Sequence, residues 1–157
     1  MTRIPGSTAC LFVPGAVALA LAGLTASLAA QAPGVERFGG RLSRMPVDLV
    51  TTSTIRGEGA VAAGLREREL TLKAEFQGLS SPVTAVHVHN APRARPGEVA
   101  FPIDLGEPLE IAGEFMATVT LTDAQAAELR AGRYYLQIHT ETNPGGELRG
   151  WLLPAGD

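Results

Sequence analysis

Apolar and polar residues alternate with a two-residue period along most of the chain beyond residue 36. In residues 69–76, for example, Leu, Ala and Phe alternate with charged residues and threonine. Because successive side chains of a strand point to opposite faces, this pattern predicts strands with one buried face. About eight short strands are predicted in this way, at residues 37–43, 55–61, 69–76, 83–89, 99–105, 113–121, 134–140 and 147–153.

One helix is predicted, between the sixth and seventh of these strands. Residues 122–125 read Thr-Asp-Ala-Gln, which is a capping box at a helix start. Good helix formers follow as far as Arg130, and Gly132 suits the left-handed residue just past a helix end. Short strands with a single connecting helix predict an all-β fold, a Greek-key β-sandwich or barrel.

The first 32 residues have the composition of a secretory signal peptide. Arg3 is the only charged residue before Glu36, and residues 11–30 are almost wholly apolar. Small residues at Ala30 and Ala32 then suit a signal peptidase, so we expect cleavage after about Ala32 and an exported protein, periplasmic or secreted. An uncleaved membrane anchor is the alternative, because the apolar run is long enough to span a bilayer.

Residues 37–153 are expected to form one domain, with residues 33–36 as a linker and residues 154–157 as a tail. About 125 residues beyond the signal peptide suffice for one hydrophobic core and are too few for two. Cys10 is the only cysteine in the chain. The exported domain must therefore be stabilised by its core, or by its core and a metal, and not by disulfides.

The charge pattern excludes nucleic acid as a partner. The formal net charge is −3, Lys73 is the only lysine, and there is no basic stripe interleaved with aromatic residues. No second apolar run reaches membrane length, so membrane contact is expected only through an uncleaved N-terminal segment. The partner class that remains is an unknown protein or other extracellular partner.

Two histidines alternate with valines in the strand predicted at residues 83–89. Val86 and Val88 are expected to face the core, which places His87 and His89 together on the opposite face. His139, the only other histidine, lies on the corresponding face of the strand at residues 134–140. All three histidines are therefore predicted on the side of the sheet that faces away from the core.

The three histidines are candidate ligands for one copper or zinc ion if their strands are neighbours. Imidazole suits both metals, and three histidines with an open position are typical of catalytic or exchangeable sites. A shared ion requires ring nitrogens within about 6 Å of one another, since bonds from histidine to metal are near 2 Å. The alternative is that these histidines only form hydrogen bonds that stabilise loops.

Glu147 and Arg149 are two residues apart on the last predicted strand and should therefore share a face. If that strand pairs with residues 134–140, both side chains come to the histidine side. They are then either a carboxylate that supports the metal ligands with an anion-guiding arginine, or an ion pair that fixes the hairpin. Arg93 and Arg95 belong to a predicted loop after the histidine strand, where they are solvated or steer an anion.

Three segments closely resemble the CHRD domain, a family named for its occurrence in chordin and found also as single exported domains in bacteria. They are residues 79–92, 121–132 and 139–150, and the most specific part is the closing Asn143-Pro-Gly-Gly-Glu-Leu-Arg-Gly150. The resemblance covers about residues 36–153. It implies a β-sandwich, but the family brings no settled biochemical activity with it.

The histidines resemble, more weakly, the arrangement in copper/zinc superoxide dismutases. In that family a His-X-His strand and a later histidine bind copper on the outside of a Greek-key barrel, with an arginine near the metal. The present chain has no fourth histidine and no cysteine pair. It also has no histidine/aspartate zinc loop, so the resemblance implies at most a mononuclear site at His87, His89 and His139.

The residues leave three functional hypotheses open. The preferred one is a non-enzymatic, exported binding or structural module that holds one copper or zinc ion through the three histidines. The second is a small mononuclear metalloenzyme with redox chemistry like that of superoxide dismutase. The third is a metal-free protein-interaction domain, and analogy of fold alone does not choose among the three.

Overall fold

The computed structural model describes residues 34–45 and 48–156. The predicted signal peptide at residues 1–32 lies outside this part of the chain. The described elements are β1 (Glu36–Arg44), β2 (Glu58–Arg66), β3 (Glu69–Gln77), β4 (Val83–Asn90), β5 (Glu98–Ile103), β6 (Gly113–Thr120), α1 (Asp123–Arg130), β7 (Tyr134–Thr140), β8 (Leu148–Trp151) and β9 (Leu153–Pro154). Among the described residues, no helix is long and apolar enough to cross a membrane.

The strands form one antiparallel system in the order β5-β4-β7-β8-β1-β2-β3-β6, with β9 paired to β1. Strand β1 joins its two halves, because residues 36–42 pair with β2 whereas Ser43 and Arg44 pair with β8. The neighbours β3–β6 and β4–β7 are not consecutive in the chain, as expected of a Greek-key arrangement. The predicted all-β fold is confirmed.

One hydrophobic core lies between the two halves of this strand system. It is built from the inward-facing residues that the alternation predicts, including Leu70 and Leu72 of β3, Val86 and Val88 of β4, and Leu136 and Ile138 of β7. Each of these six side chains is at most 1% exposed. The histidines of β4 and β7 therefore lie on the outer face, opposite a fully packed inner face.

Strands β1 and β8 approach each other closely at two glycines. A Cβ atom on Gly150 would lie 2.5 Å from the carbonyl oxygen of Arg41, and a Cβ on Gly40 would clash with the carbonyl oxygen of Trp151. Both obstacles are backbone atoms of a paired strand, which cannot move aside as a flexible side chain can. The last glycine of the closing motif is therefore required for strand packing.

Helix α1 begins with the predicted capping box. Thr122 Oγ1 accepts a hydrogen bond from the Gln125 backbone nitrogen at 3.2 Å, and the Thr122 nitrogen donates to Gln125 Oε1 at 2.8 Å. Gly132 has a φ of +66°, the left-handed conformation expected past the helix end. The helix packs Ala126 and Leu129 into the core and connects β6 to β7.

The ends of the domain extend slightly beyond the predicted limits. Glu36, expected in the linker, pairs with Leu65 and forms a salt bridge with Arg130 at 2.6 Å. Pro154, expected in the tail, pairs with Phe38 of β1. The last strand is also divided, because Leu152 turns into the core between β8 and β9. Strand pairing thus includes residues at both ends of the domain that show no alternation of their own.

We predict that Gly40→Ala destabilises the protein by about 2 kcal/mol, because the added methyl group forces β1 away from β8. Urea unfolding at neutral pH measures the change. Gly145→Ala is the matched control, since a Cβ at that glycine meets nothing within 4 Å. Equal stability of the Gly40 variant and the wild type would contradict the close approach of the two strands.

Candidate metal centre

The three histidines come together because β4 and β7 are neighbouring antiparallel strands. In their register, His87 lies opposite Gln137, and His139 lies opposite Ala85. His139 is therefore the diagonal neighbour of His87 on the same outer face. The condition on which the predicted cluster depended, adjacency of these two strands, is fulfilled.

The side chains of His87, His89 and His139 form a compact group. One ligand nitrogen from each ring can be chosen so that all three lie within 4.8 Å of one another. The ring centroids are 4.8 Å apart for His87 and His139, and about 6 Å apart for the two other pairs. These distances satisfy the geometric requirement for a shared ion.

Backbone carbonyls orient two of the three rings. His89 Nδ1 lies 2.9 Å from the carbonyl oxygen of Gly97, and His139 Nδ1 lies 2.9 Å from that of Pro144. A carbonyl oxygen can only accept, so Nδ1 carries the proton and donates in both rings. In the neutral form of each ring, Nε2 then keeps its lone pair for another partner.

The Nε2 atom of His89 is buried and has no hydrogen-bond partner among the described residues. The whole residue is only 8% exposed. A buried polar atom without a partner is uncommon and costs free energy in a protein that has no use for it. A metal ion would bind to the lone pair of this nitrogen.

His87 and His139 contact each other directly. His87 Nδ1 lies 3.2 Å from His139 Nε2, and because the proton of neutral His139 is on Nδ1, His87 Nδ1–H donates this hydrogen bond to His139 Nε2. Burial lowers the pKa of His87, and the neighbouring His139 and His89 lower it further. Burial also lowers the pKa of His139, against the opposing effect of its bond to Pro144. Both rings therefore favour the neutral form that binds metals.

The site is open on the side of His87. This side chain is half-buried and lines a groove of about 550 Å³ that also contains Pro102, Asp104 and Glu107. By contrast, His89 and His139 are both buried. The cluster is therefore accessible from the side of β5.

Two residues for which the sequence predicted no site role support the histidines. The Tyr135 ring stacks on His89, with 4.8 Å between centroids and an angle of 5° between planes. The side-chain nitrogen of Gln137 lies 3.4 Å from His139 Nε2 and donates to the carbonyl oxygen of Gly145 at 3.0 Å. Alternation along β7 places both residues on the histidine face, which is the signal that identifies them.

Glu147 does not lie on β8, which begins at Leu148. Its side chain is fully buried, and its carboxylate accepts five hydrogen bonds. The donors are the backbone nitrogens of Arg56 and Ser80 and the side chains of Ser80, Thr140 and Asn143. Burial raises the pKa of this carboxyl group, but the bonds from Thr140 and Ser80 outweigh it and hold the pKa below its ordinary value.

Arg149 has different partners from Glu147. Its guanidinium carbon lies 5.1 Å from the centroid of the Tyr135 ring and 5.3 Å from that of Trp151. Among the described residues, no salt bridge joins Arg149 to Glu147. The ion pair, one of the two alternatives for these residues, is therefore not formed, because Glu147 precedes the strand and the shared-face rule applies only within a strand.

Glu147 holds the turn that orients His139. Asn143 donates to Glu147 Oε2 at 3.1 Å and to the carbonyl oxygen of Thr54 at 3.1 Å. These bonds fix the turn of residues 143–146, whose Pro144 carbonyl accepts from His139. The carboxylate therefore acts on the metal candidate through the turn and not by contact with the rings.

We predict that Glu147→Gln destabilises the protein by about 3 kcal/mol at neutral pH. The amide would turn an NH₂ group toward donors that now find a carboxylate oxygen. Because the folded pKa of Glu147 lies below its ordinary value of 4.5, its contribution is present above that pH and is lost as the pH falls through the folded pKa. The difference in the free energy of unfolding between the variant and the wild type should therefore become smaller at acidic pH.

Urea unfolding at neutral and acidic pH measures both effects. Glu114→Gln is the matched control, since the one salt-bridge partner of this exposed carboxylate among the described residues is Lys73 at the surface. We expect the control to change stability little at any pH. A Glu147 variant as stable as the wild type, or a difference that does not depend on pH, would contradict the role given to this carboxylate.

Comparison with known proteins identified one domain family. A search of curated proteins and a search of solved structures gave no significant match. The family model of the CHRD domain matches residues 43–152, which is more than half of the chain and includes all three histidines and the closing motif. The chain belongs to the CHRD domain family.

Proposed function

We propose that this protein is an exported CHRD-domain binding module that holds one copper or zinc ion through His87, His89 and His139. The observation that carries the proposal is the buried Nε2 atom of His89, which has no partner and lies in a group of three neighbouring imidazoles. Membership of the CHRD family supports a binding or structural module. The three neighbouring imidazoles support a metal ion as the ligand of that module.

The geometry needs only small adjustments to hold an ion. Two nitrogens bound to one tetrahedral zinc are about 3.3 Å apart, given bonds of about 2.0–2.1 Å. The ligand nitrogens here lie within 4.8 Å of one another, so modest rotations of the rings would bring them together. The bonds from Nδ1 to Gly97 and Pro144 resemble the outer hydrogen bonds that commonly fix the orientation of metal-binding histidines.

The donor set favours zinc or copper over the alkaline-earth ions. All three donors are imidazole nitrogens, whereas calcium and magnesium prefer oxygen ligands. Three protein ligands also leave one position of a tetrahedral ion for water or for a group from a partner. A binding module that presents an ion to a partner uses that position, and so does an enzyme, which is why turnover must be measured separately.

We predict that zinc or copper stabilises the protein, whereas magnesium does not. At an ion concentration 100 times the dissociation constant, the expected gain is about 2.7 kcal/mol. His89→Gln and His139→Gln should each abolish the gain. Thr84→Ala, an exposed position on the same strand as His89, is the matched control and should keep it. Thermal unfolding with and without each ion, together with metal analysis of the purified protein, provides the measurement.

Different results separate the three functional hypotheses. If the purified protein holds no metal and its melting temperature does not change with zinc or copper, the metal site is refuted and a metal-free interaction domain remains. Bound metal without superoxide or oxidase turnover supports the binding module. Turnover that disappears in the His89 variant would instead establish a small metalloenzyme.

The export of the protein is proposed from the composition of its first 32 residues. We predict that the protein recovered from the periplasm or medium of an expressing bacterium begins at about Pro33, as intact-mass spectrometry would reveal. Replacing two leucines of the apolar run by arginine should retain the full-length chain inside the cell. Recovery of the uncut wild-type chain in the membrane fraction would favour the anchor instead.

A further inference from the structure

A groove lined by arginines lies beside the candidate metal centre, between β1, β8 and the loop after β4. Its volume is about 450 Å³. The residues that characterise it are Arg41, Arg44, Arg93, Arg149 and Trp151, and we call it the arginine groove. No acidic residue of the described chain lines it.

Three of the four arginines have no acidic partner in the described part of the chain. Arg41 forms a salt bridge with Glu58 at 2.9 Å. The side chains of Arg44, Arg93 and Arg149 form neither a salt bridge nor a hydrogen bond with any described residue. Positive charge therefore accumulates in the groove although the chain as a whole carries a net charge of −3.

A neighbouring groove provides an internal comparison. It is lined by Arg93, Arg130 and Arg133, among other residues. There Arg130 is paired with Glu36 at 2.6 Å, and Arg133 is paired with Glu128 at 2.8 Å. Two of the three arginines of the neighbouring groove are thus neutralised by a carboxylate, whereas only one of the four in the arginine groove is paired in this way among the described residues.

Arg149 is held in place without using its hydrogen-bond donors. Its guanidinium group lies about 5 Å from the centroids of both the Tyr135 and Trp151 rings, and the residue is half-buried. Contacts with aromatic rings fix a guanidinium group while the N–H groups at its edge remain available. Such an edge matches two oxygens of one carboxylate or phosphate group.

The loop that contributes Arg93 has a constrained shape. Ala94 adopts a φ of +64°, which is uncommon for a residue with a side chain, and the Arg95 nitrogen donates to the carbonyl oxygen of Pro92 at 3.2 Å. The conformation places both Arg93 and Ala94 on the wall of the groove. Unusual backbone conformations of this kind occur preferentially where a segment serves a function.

We propose that the arginine groove binds a small organic or inorganic polyanion that carries at least two carboxylate or phosphate groups. Cations from three separate segments, β1, β8 and the loop after β4, surround the groove, so a single charged group would leave most of them unpaired. The volume lies within the range of about 300–1,000 Å³ that is typical of small-molecule sites. This inference does not depend on the metal site, which uses different residues.

Isothermal titration calorimetry of the metal-free, full mature protein tests the proposal, with citrate as the polycarboxylate and pyrophosphate as the phosphate probe. We expect at least one of them to bind, with an affinity that falls as salt is added. Arg149→Gln and Arg93→Gln should each weaken binding about tenfold or more. Arg66→Gln, an exposed arginine outside the groove, is the matched control and should change affinity less than twofold.

A second measurement separates a binding role of Arg149 from a purely structural one. Arg149→Lys keeps the positive charge but loses the planar pair of donors, so it should bind the anion more weakly than wild type and more tightly than Arg149→Gln. Its unfolding curve and its zinc-induced stabilisation should match those of the wild type. Binding of citrate alone, pyrophosphate alone or both identifies the group that is recognised.

The proposal would be overturned if neither anion bound at millimolar concentration in low salt. It would equally be overturned if Arg66→Gln weakened binding as much as Arg149→Gln, since the contact would then be non-specific. If the protein binds zinc but neither anion, the groove proposal fails and the metal site stands. If it binds an anion but no zinc, the metal site fails and the groove proposal stands.

Discussion

The hydrogen bonds of the buried Glu147 carboxylate are the interaction on which the rest of the outer face depends. A carboxylate removed from water costs several kcal/mol unless hydrogen bonds replace its hydration. Here five bonds replace it, and their donors come from the segment before β2, the turn before β4 and the hairpin between β7 and β8. One residue therefore fixes three loops at once. The position of Pro144 against His139 follows from that constraint, although Glu147 touches none of the histidines.

The inner face of the sheet could be predicted from the sequence, because it obeys a local rule. A period of two residues separates Val86 and Val88 from His87 and His89 whatever the neighbouring strand is. The capping box of α1 is equally local. Which strands pair is a long-range property, since His87 and His139 are 52 positions apart. The sequence pattern could therefore place the histidines on faces, but the meeting of the three rings remained conditional until β4 and β7 were seen side by side.

The ion pair that was one alternative for Glu147 and Arg149 does not form, because that alternative extended a local rule past the end of the strand. Two residues on a strand share a face, but the chain still turns at Gly146, which has a φ of +116°. A Cβ atom at this glycine would lie 2.5 Å from the side-chain nitrogen of Gln137, so the turn packs closely against this side chain on the outer face. Glu147 is consequently directed to the buried loops, and Arg149 to the aromatic rings. No periodicity in the sequence encodes that difference.

Strand β7 is buried on both faces, which is unusual for an antiparallel sheet with one face toward solvent. Its inner face is covered by the core. Its outer face is covered in part by the loop after β4 and the turn after β7, which contribute the carbonyl oxygens of Gly97 and Pro144. Burial lowers the pKa of His87 and of His139, while the same carbonyls set the tautomers of His89 and His139. The two coverings thus bury His89 and His139 and leave the Nε2 atom of His89 without a hydrogen-bond partner among the described residues.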